Sequence, residues 1–316
     1  MSNRSPRPAR VLLKARPTAE QLADRAAVRP DGLELYLDVA DISGEGWLDA
    51  IERRVAGLDL PAGFVWIVEG PLRSLDGSFF DVSRPSEANR EVVRRIAACG
   101  RALGAEAAVI HAIALAEPGA PFGDDIAAAT LEASLPLVRF YAETCREAGL
   151  TPTIENVPPM LKMREGRLLH SLLGMEPDDL LALCGAIAGL RATLDVSHAQ
   201  LYLNAANAEP AEVPAEVAPV VAFLRRRRTV RTLAEYIDRV QDLIFEAHIS
   251  NARGLFGEGL AYDDGELGLN AAAARLGHLA RYLVTETIEA DPNDAILMRA
   301  CRERLLRAVA PAEVGG

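Results

Sequence analysis

Short apolar runs ending in polar residues alternate along this chain with longer stretches whose apolar positions fall three or four apart. Leu33–Asp38 alternates apolar and polar side chains, the period of a strand. Phe64–Glu69 is rich in β-branched and aromatic residues and predicts the same element. Six further runs complete the strands: Arg10–Ala15, Ala107–Ile113, Thr151–Val157, Arg191–Ser197, Leu243–Ile249 and Tyr282–Ile288. Between them, helical spacing covers 18–27, 47–58, 86–102, 125–148, 176–187, 233–240, 271–280 and 294–309, with Thr18 placed to cap the first. Gly70–Arg84 and the glycine-rich Gly254–Gly268 are expected as loops, and Ala205–Pro219 is expected to begin as one.

Eight strand-then-helix units with no break in composition predict a parallel sheet, because each parallel crossover needs a helix to return the chain. In 316 residues, that count matches a closed (β/α)8 TIM barrel, an α/β fold. The expected organisation is a flexible leader over 1–9 and a single barrel domain over 10–316. The competing open doubly wound sheet lacks support in its dinucleotide-binding form, since no G-x-G-x-x-G follows the first strand.

Half the residues are hydrophobic, enough for a sizeable core, and the formal net charge is -11. That charge argues against a broad nucleic-acid or anionic-membrane surface. Cys99, Cys145, Cys184 and Cys301 are scattered without C-x-x-C pairing, as expected of free thiols in a reducing compartment. No signal peptide and no apolar run of membrane-spanning length is visible, so a soluble cytoplasmic protein is expected, with homo-oligomerisation left open.

Active sites of such barrels form at the C-terminal strand ends. His111, Glu155, Asp195, His198, His248 and Glu286 fall there on strands four to eight, about one strand–helix unit apart. The segment Arg191-Ala-Thr-Leu-Asp195-Val-Ser-His198 delivers two of them, with Asp195 facing inward and His198 past the strand end. Buried ionisable groups are costly unless paired or bound to a cation. Three carboxylates and an imidazole on one rim therefore predict one divalent metal ion. Oxygen-dominated ligation favours Mn2+ or Mg2+, with Zn2+ or Co2+ as alternatives. Taken singly, each residue also has an ordinary structural explanation. His170 and His278 are expected to be structural, Arg225–Arg228 to be a solvated helix face, and Glu246 to pair with Lys14 inside the barrel. Phe245 is expected on the outer face with Ala247 and Ile249.

The succession Ile154-Glu155-Asn156, Leu194-Asp195-Val-Ser-His198, His248-Ile-Ser250-Asn251 and Glu286 resembles the xylose isomerase-like TIM-barrel superfamily. That group spans sugar isomerases, ketose epimerases, related lyases and endonuclease IV. The resemblance runs from about the second strand to the eighth. It implies Glu155, Asp195, His248 and Glu286 as metal ligands, with Glu155 and Glu286 as the catalytic pair that moves a proton at the substrate carbon. It also implies His198 at a substrate hydroxyl or carbonyl, with His111 and Arg253 beside the substrate. The implied activity is a metal-dependent isomerase, epimerase or lyase acting on a sugar or a related polyhydroxy carbonyl compound. Two departures stand out: Asn251 replaces the aspartate usual after the seventh-strand histidine, and Arg253 is offset from the usual arginine. Two alternatives remain: a zinc phosphodiesterase on abasic DNA like endonuclease IV, which the acidic charge disfavours, and a non-catalytic sugar-binding barrel.

Overall fold

The computed structural model describes residues 8–116, 122–162 and 168–310. Eight parallel strands close into a barrel, a single α/β TIM-barrel domain. They are β1 (Arg10–Ala15), β2 (Gly32–Tyr36), β3 (Val65–Glu69), β4 (Ala107–His111), β5 (Thr151–Glu155), β6 (Arg191–Asp195), β7 (Ile244–Ile249) and β8 (Tyr282–Thr285). Each strand pairs with its neighbours in sequence, and β8 closes onto β1 through Arg10↔Tyr282 to Leu13↔Thr285.

The period of two along each strand divides the core in two. Outward residues such as Leu13, Leu35, Val68, Ile110, Ile154, Leu194 and Ala247 are buried beneath the surrounding helices. Inward, Leu12, Val65, Ile67, Ala107, Val109, Tyr282 and Val284 form a separate apolar floor inside the barrel. One layer above that floor, the inward positions turn polar: Lys14, Glu34, Glu69, His111, Glu155, Asp195 and His248. Gly32 is required where β2 meets β3, since a Cβ there would stand 2.3 Å from the Val65 carbonyl oxygen.

Several elements differ from the expectation. The sixth strand stops at Asp195, whose side chain caps the helix Val196–Asn207 by accepting from the His198 amide at 2.7 Å. His198 therefore stands in that helix's first turn. The eighth strand ends at Thr285, leaving Glu286 one residue beyond it. Ala205–Pro219 does not begin as a loop: the same helix continues to Asn207, and the helix Ala218–Arg227 begins before the segment's end. Within Gly254–Gly268, Gly257–Leu260 pairs antiparallel with Asn251–Arg253 as a hairpin. A second hairpin, Met160–Lys162 with Leu168–His170, follows β5. A register shift at Ala192/Thr193 adds a residue to β7 and moves Phe245 from the expected outer face to the barrel floor, against Tyr282 at 5.8 Å.

The Arg225–Arg228 run is not a free solvated face. Arg225 and Arg228 donate to the Ala208 and Ala206 carbonyls, and Arg227 reaches Glu176 at 3.3 Å. Of the expected leader 1–9, residues 1–7 lie outside the described residues, as do 163–167 of the loop after β5. No helix among the described residues is long and apolar enough to cross a membrane.

Candidate metal centre and active site

Strand register brings the rim residues together in pairs: His111 beside Glu155, and Asp195 beside His248. One potential ligand atom from each of Glu155, Asp195, His248 and Glu286 lies within 4.8 Å of all the others. Glu69, His111 and Glu155 form an adjoining group of the same kind, with Glu155 common to both. Asp195 is fixed from behind by Asn156, which donates to its carbonyl at 2.9 Å and accepts from its amide at 2.7 Å.

The His248 ring is held by its far side. Nε2 stands 3.0 Å from Glu34 Oε2, so Nδ1 faces Glu286 Oε2 at 2.6 Å and Glu155 Oε2 at 3.6 Å. His248 Nδ1, Glu286 Oε2 and both Glu155 oxygens are buried and, close as they lie to one another and to His198, make no hydrogen bond of good geometry. Buried polar atoms are seldom left so, and here they converge on one point. The donor set, three carboxylates and an imidazole whose other nitrogen is bound to a carboxylate, fits a divalent cation.

Electrostatics agree. Burial would lower the three imidazoles, but the surrounding carboxylates outweigh it and raise His111, His198 and His248 above the ordinary histidine value. Burial would raise Glu286, but the Lys14 ammonium and His248 hold it below the usual carboxylate range. At Glu155, His111 and His248 likewise overcome burial and hold the carboxyl down. Burial prevails at Asp195 and Glu34, each pushed up to about 7. A bound cation would stabilise these carboxylates as anions and displace their protons.

Above the cluster opens a cavity of about 140 Å³. Its polar side includes His111, Asp195, His198, Glu258 and Glu286; its other side is Leu72, Ile113, Val157, Pro158, Leu161 and Ile288. Drug-sized ligands occupy about 300–1,000 Å³, so this space suits a smaller molecule. Glu286, 26% exposed, faces the cavity, whereas Glu155 is fully buried beneath it. His198 spans the two levels, with Nδ1 3.3 Å from Glu155 Oε1 and Nε2 3.3 Å from Glu258 Oε2.

Arg253 does not join the group. Its side chain is 58% exposed and pairs with Asp264 at 2.7 Å. Asn251 ties down the loop after β7: it donates to the Tyr262 carbonyl at 2.8 Å and accepts from the Leu267 amide at 2.9 Å. That takes both an NH2 donor and an oxygen acceptor, and an aspartate has no NH2. Glu246 does not pair with Lys14; it accepts from Thr193 Oγ1 at 2.8 Å, and burial pushes its carboxyl up to about 8. Lys14 instead contacts Glu69 and Glu286 and stands 3.6 Å from Glu34.

Lys14, Glu34 and Glu258 were not expected at the site. For Lys14 and Glu34 a signal existed: in a barrel clad by helices, the polar member of an alternating strand points inward. Glu258 sits in a hairpin whose path nothing local specifies.

No protein-family profile matches the chain, and no curated protein matches it by sequence. Solved structures do. A D-tagatose 3-epimerase-like protein is 15% identical, with a TM-score of 0.64 over 95% of this chain and 98% of that one. An L-ribulose 3-epimerase is 17% identical, with a TM-score of 0.62 over 98% of this chain and 100% of the other. An AP endonuclease of family 2 from Brucella melitensis is 14% identical, with a TM-score of 0.56 over 92% and 96%. The chain thus shares the closed-barrel fold of these solved structures.

Proposed function

We propose that this protein is a divalent-metal-dependent epimerase or isomerase of a small polyhydroxylated carbonyl compound. The observation that carries the reading is the convergence of buried ligand atoms of Glu155, His248 and Glu286, none in a well-formed hydrogen bond, with Asp195 beneath a small cavity. The structural likeness to ketose 3-epimerases supports the same class.

In this reading Glu155, Asp195, His248 and Glu286 hold one ion, with Mn2+ or Mg2+ favoured and Zn2+ or Co2+ as alternatives. When bound, such an ion polarises a carbonyl and its neighbouring hydroxyl, acidifying the C–H between them. That acidification matters because Glu155 and Glu286 are both held below the usual carboxylate range, which makes them weak bases. Glu286, facing the cavity, takes the proton at a carboxylate oxygen, and Glu155 returns a proton, on the same or the opposite face. His198 orients a substrate oxygen, and His111, held by Glu69 at 3.1 Å, lines the same wall.

The test is incubation of the Mn2+-loaded protein with a panel of ketopentoses and ketohexoses in D2O, followed by NMR. Deuterium should enter at one carbon next to the carbonyl, cease with chelator and return on adding Mn2+. Incision of an abasic-site duplex with no exchange in any ketose would replace this reading with the phosphodiesterase one, which the adjoining Glu69–His111–Glu155 group favours.

A further inference from the structure

Among the described residues three groups could ligate a cation: the four-residue group, Glu69–His111–Glu155, joined to it through Glu155, and Glu34–Glu246–His248, joined to it through His248. What decides between one ion and two is Lys14. Its ammonium contacts a carboxylate oxygen of Glu69 and one of Glu286, lies 3.6 Å from Glu34 Oε1, and is almost entirely buried. Resting on the metal reading above, we propose that Lys14 is a tethered cation that fills the counter-ion position among Glu34, Glu69 and Glu286 and so limits the rim to a single metal ion.

The four-residue group and the Glu69 group are not left equal by this contact. Glu286 gives Oε1 to Lys14 but keeps Oε2 directed at His248 Nδ1, so the four-residue group retains its ligand atom. Glu69 likewise gives Oε2 to Lys14 and Oε1 to His111 at 3.1 Å, but its group has only three members, and one of them, Glu155, already belongs to the four-residue group. A second divalent ion held through Glu69 would share that one carboxylate with an ammonium. Two cations on one buried anion repel strongly where little water screens them.

The choice of residue fits this role. The chain has only two lysines, Lys14 and Lys162, its other basic residues being arginine and histidine. Lysine carries a compact point charge, whereas the guanidinium is a planar fork. An ammonium fits among three converging carboxylates much as a small metal ion does. Its position is preset by the backbone, since Lys14 of β1 pairs in register with Glu34 of β2. The Tyr36 ring lies beside it, with the ammonium 5.7 Å from the ring centroid.

The experiment compares metal content and Mn2+ titration of the full chain with those of Lys14→Met, Glu69→Gln and the double variant. The unmodified chain should hold one ion. Lys14→Met should take up a second, lost again in the double variant, and Glu69→Gln alone should keep its single ion with affinity unchanged within about twofold. Should Lys14→Met not fold, the Glu69→Gln arm still decides, since loss of the ion there would make Glu69 a ligand and overturn the proposal. A folded Lys14→Met holding one ion, or an unmodified chain holding two, also overturns it while leaving the metal reading intact. No ion in the unmodified chain would remove both.

Discussion

His248 is oriented by Glu34, from a strand more than 200 residues earlier in the chain: Nε2 stands 3.0 Å from Glu34 Oε2, which turns Nδ1 toward Glu155 and Glu286. A carboxylate behind a histidine fixes the ring's tautomer and strengthens its other nitrogen as a ligand. Glu34→Gln should therefore weaken Mn2+ binding by roughly 10–100-fold, with the fold retained by circular dichroism. Titration giving an unchanged affinity would mean that Glu34 does not position the ligand.

Glu155→Gln and Glu286→Gln should each abolish turnover. General acid–base groups contribute about 10²–10⁴-fold, and in the proposed reading these two also hold the ion. Deuterium exchange separates the roles: Glu286→Gln, on the cavity side, should lose exchange, and full activity in either variant would refute the two-glutamate scheme.

His198→Ala should raise KM and lower turnover while the ion content stays the same. Its Nδ1 lies near Glu155 and Asp195, at 3.3 and 3.8 Å, so it stands close to the ligands without belonging to their converging set. Elemental analysis decides: loss of the ion would make His198 itself a ligand.

Asn156→Ala should destabilise the chain and loosen the site together. It strips the buried Asp195 amide and carbonyl of their partners, and each such loss costs about 1–3 kcal/mol. Thermal unfolding should show a drop of several degrees, and Mn2+ titration a weaker site; unchanged metal affinity would show that Asp195 is held by its strand alone.

Away from the rim, Glu176 gives a pH signature. Burial, reinforced by repulsion from Asp179 and partly offset by Arg227, pushes its carboxyl from 4.5 up to about 8. Between those values the folded chain keeps a proton that the unfolded chain has released, so this group's contribution to stability falls as pH rises from about 5 to 8. Glu176→Gln should leave the melting temperature nearly unchanged at pH 5 and raise it by a few degrees at pH 8.5. Equal shifts at both values would remove Glu176 as the cause.

Much of the fold was legible locally. The helix over Leu233–Val240 and the strand over Arg10–Ala15 match their expected bounds, because spacing and caps are written in neighbouring residues. The ends of β6 and β8 were less legible, since Asp195 ends its strand through a side-chain cap that alternation does not encode. The bulge that carries Phe245 to the barrel floor was invisible for a similar reason: it exists only in pairing with β6.

By itself, the sequence determined the alternation of strands and helices, hence the barrel, and the acidic and histidine residues at the ends of its later strands. It did so because periodicity and strand ends are properties of a dozen neighbouring residues. Only the tertiary structure decided which polar residues face the same point. It brought Lys14 and Glu34 from the first two strands against Glu286 and His248 from the last two, turned Arg253 outward onto Asp264, and left Glu246 with Thr193. Barrel closure joins the chain's two ends, and side-chain partners across that seam depend on register and depth, which no local stretch of residues records.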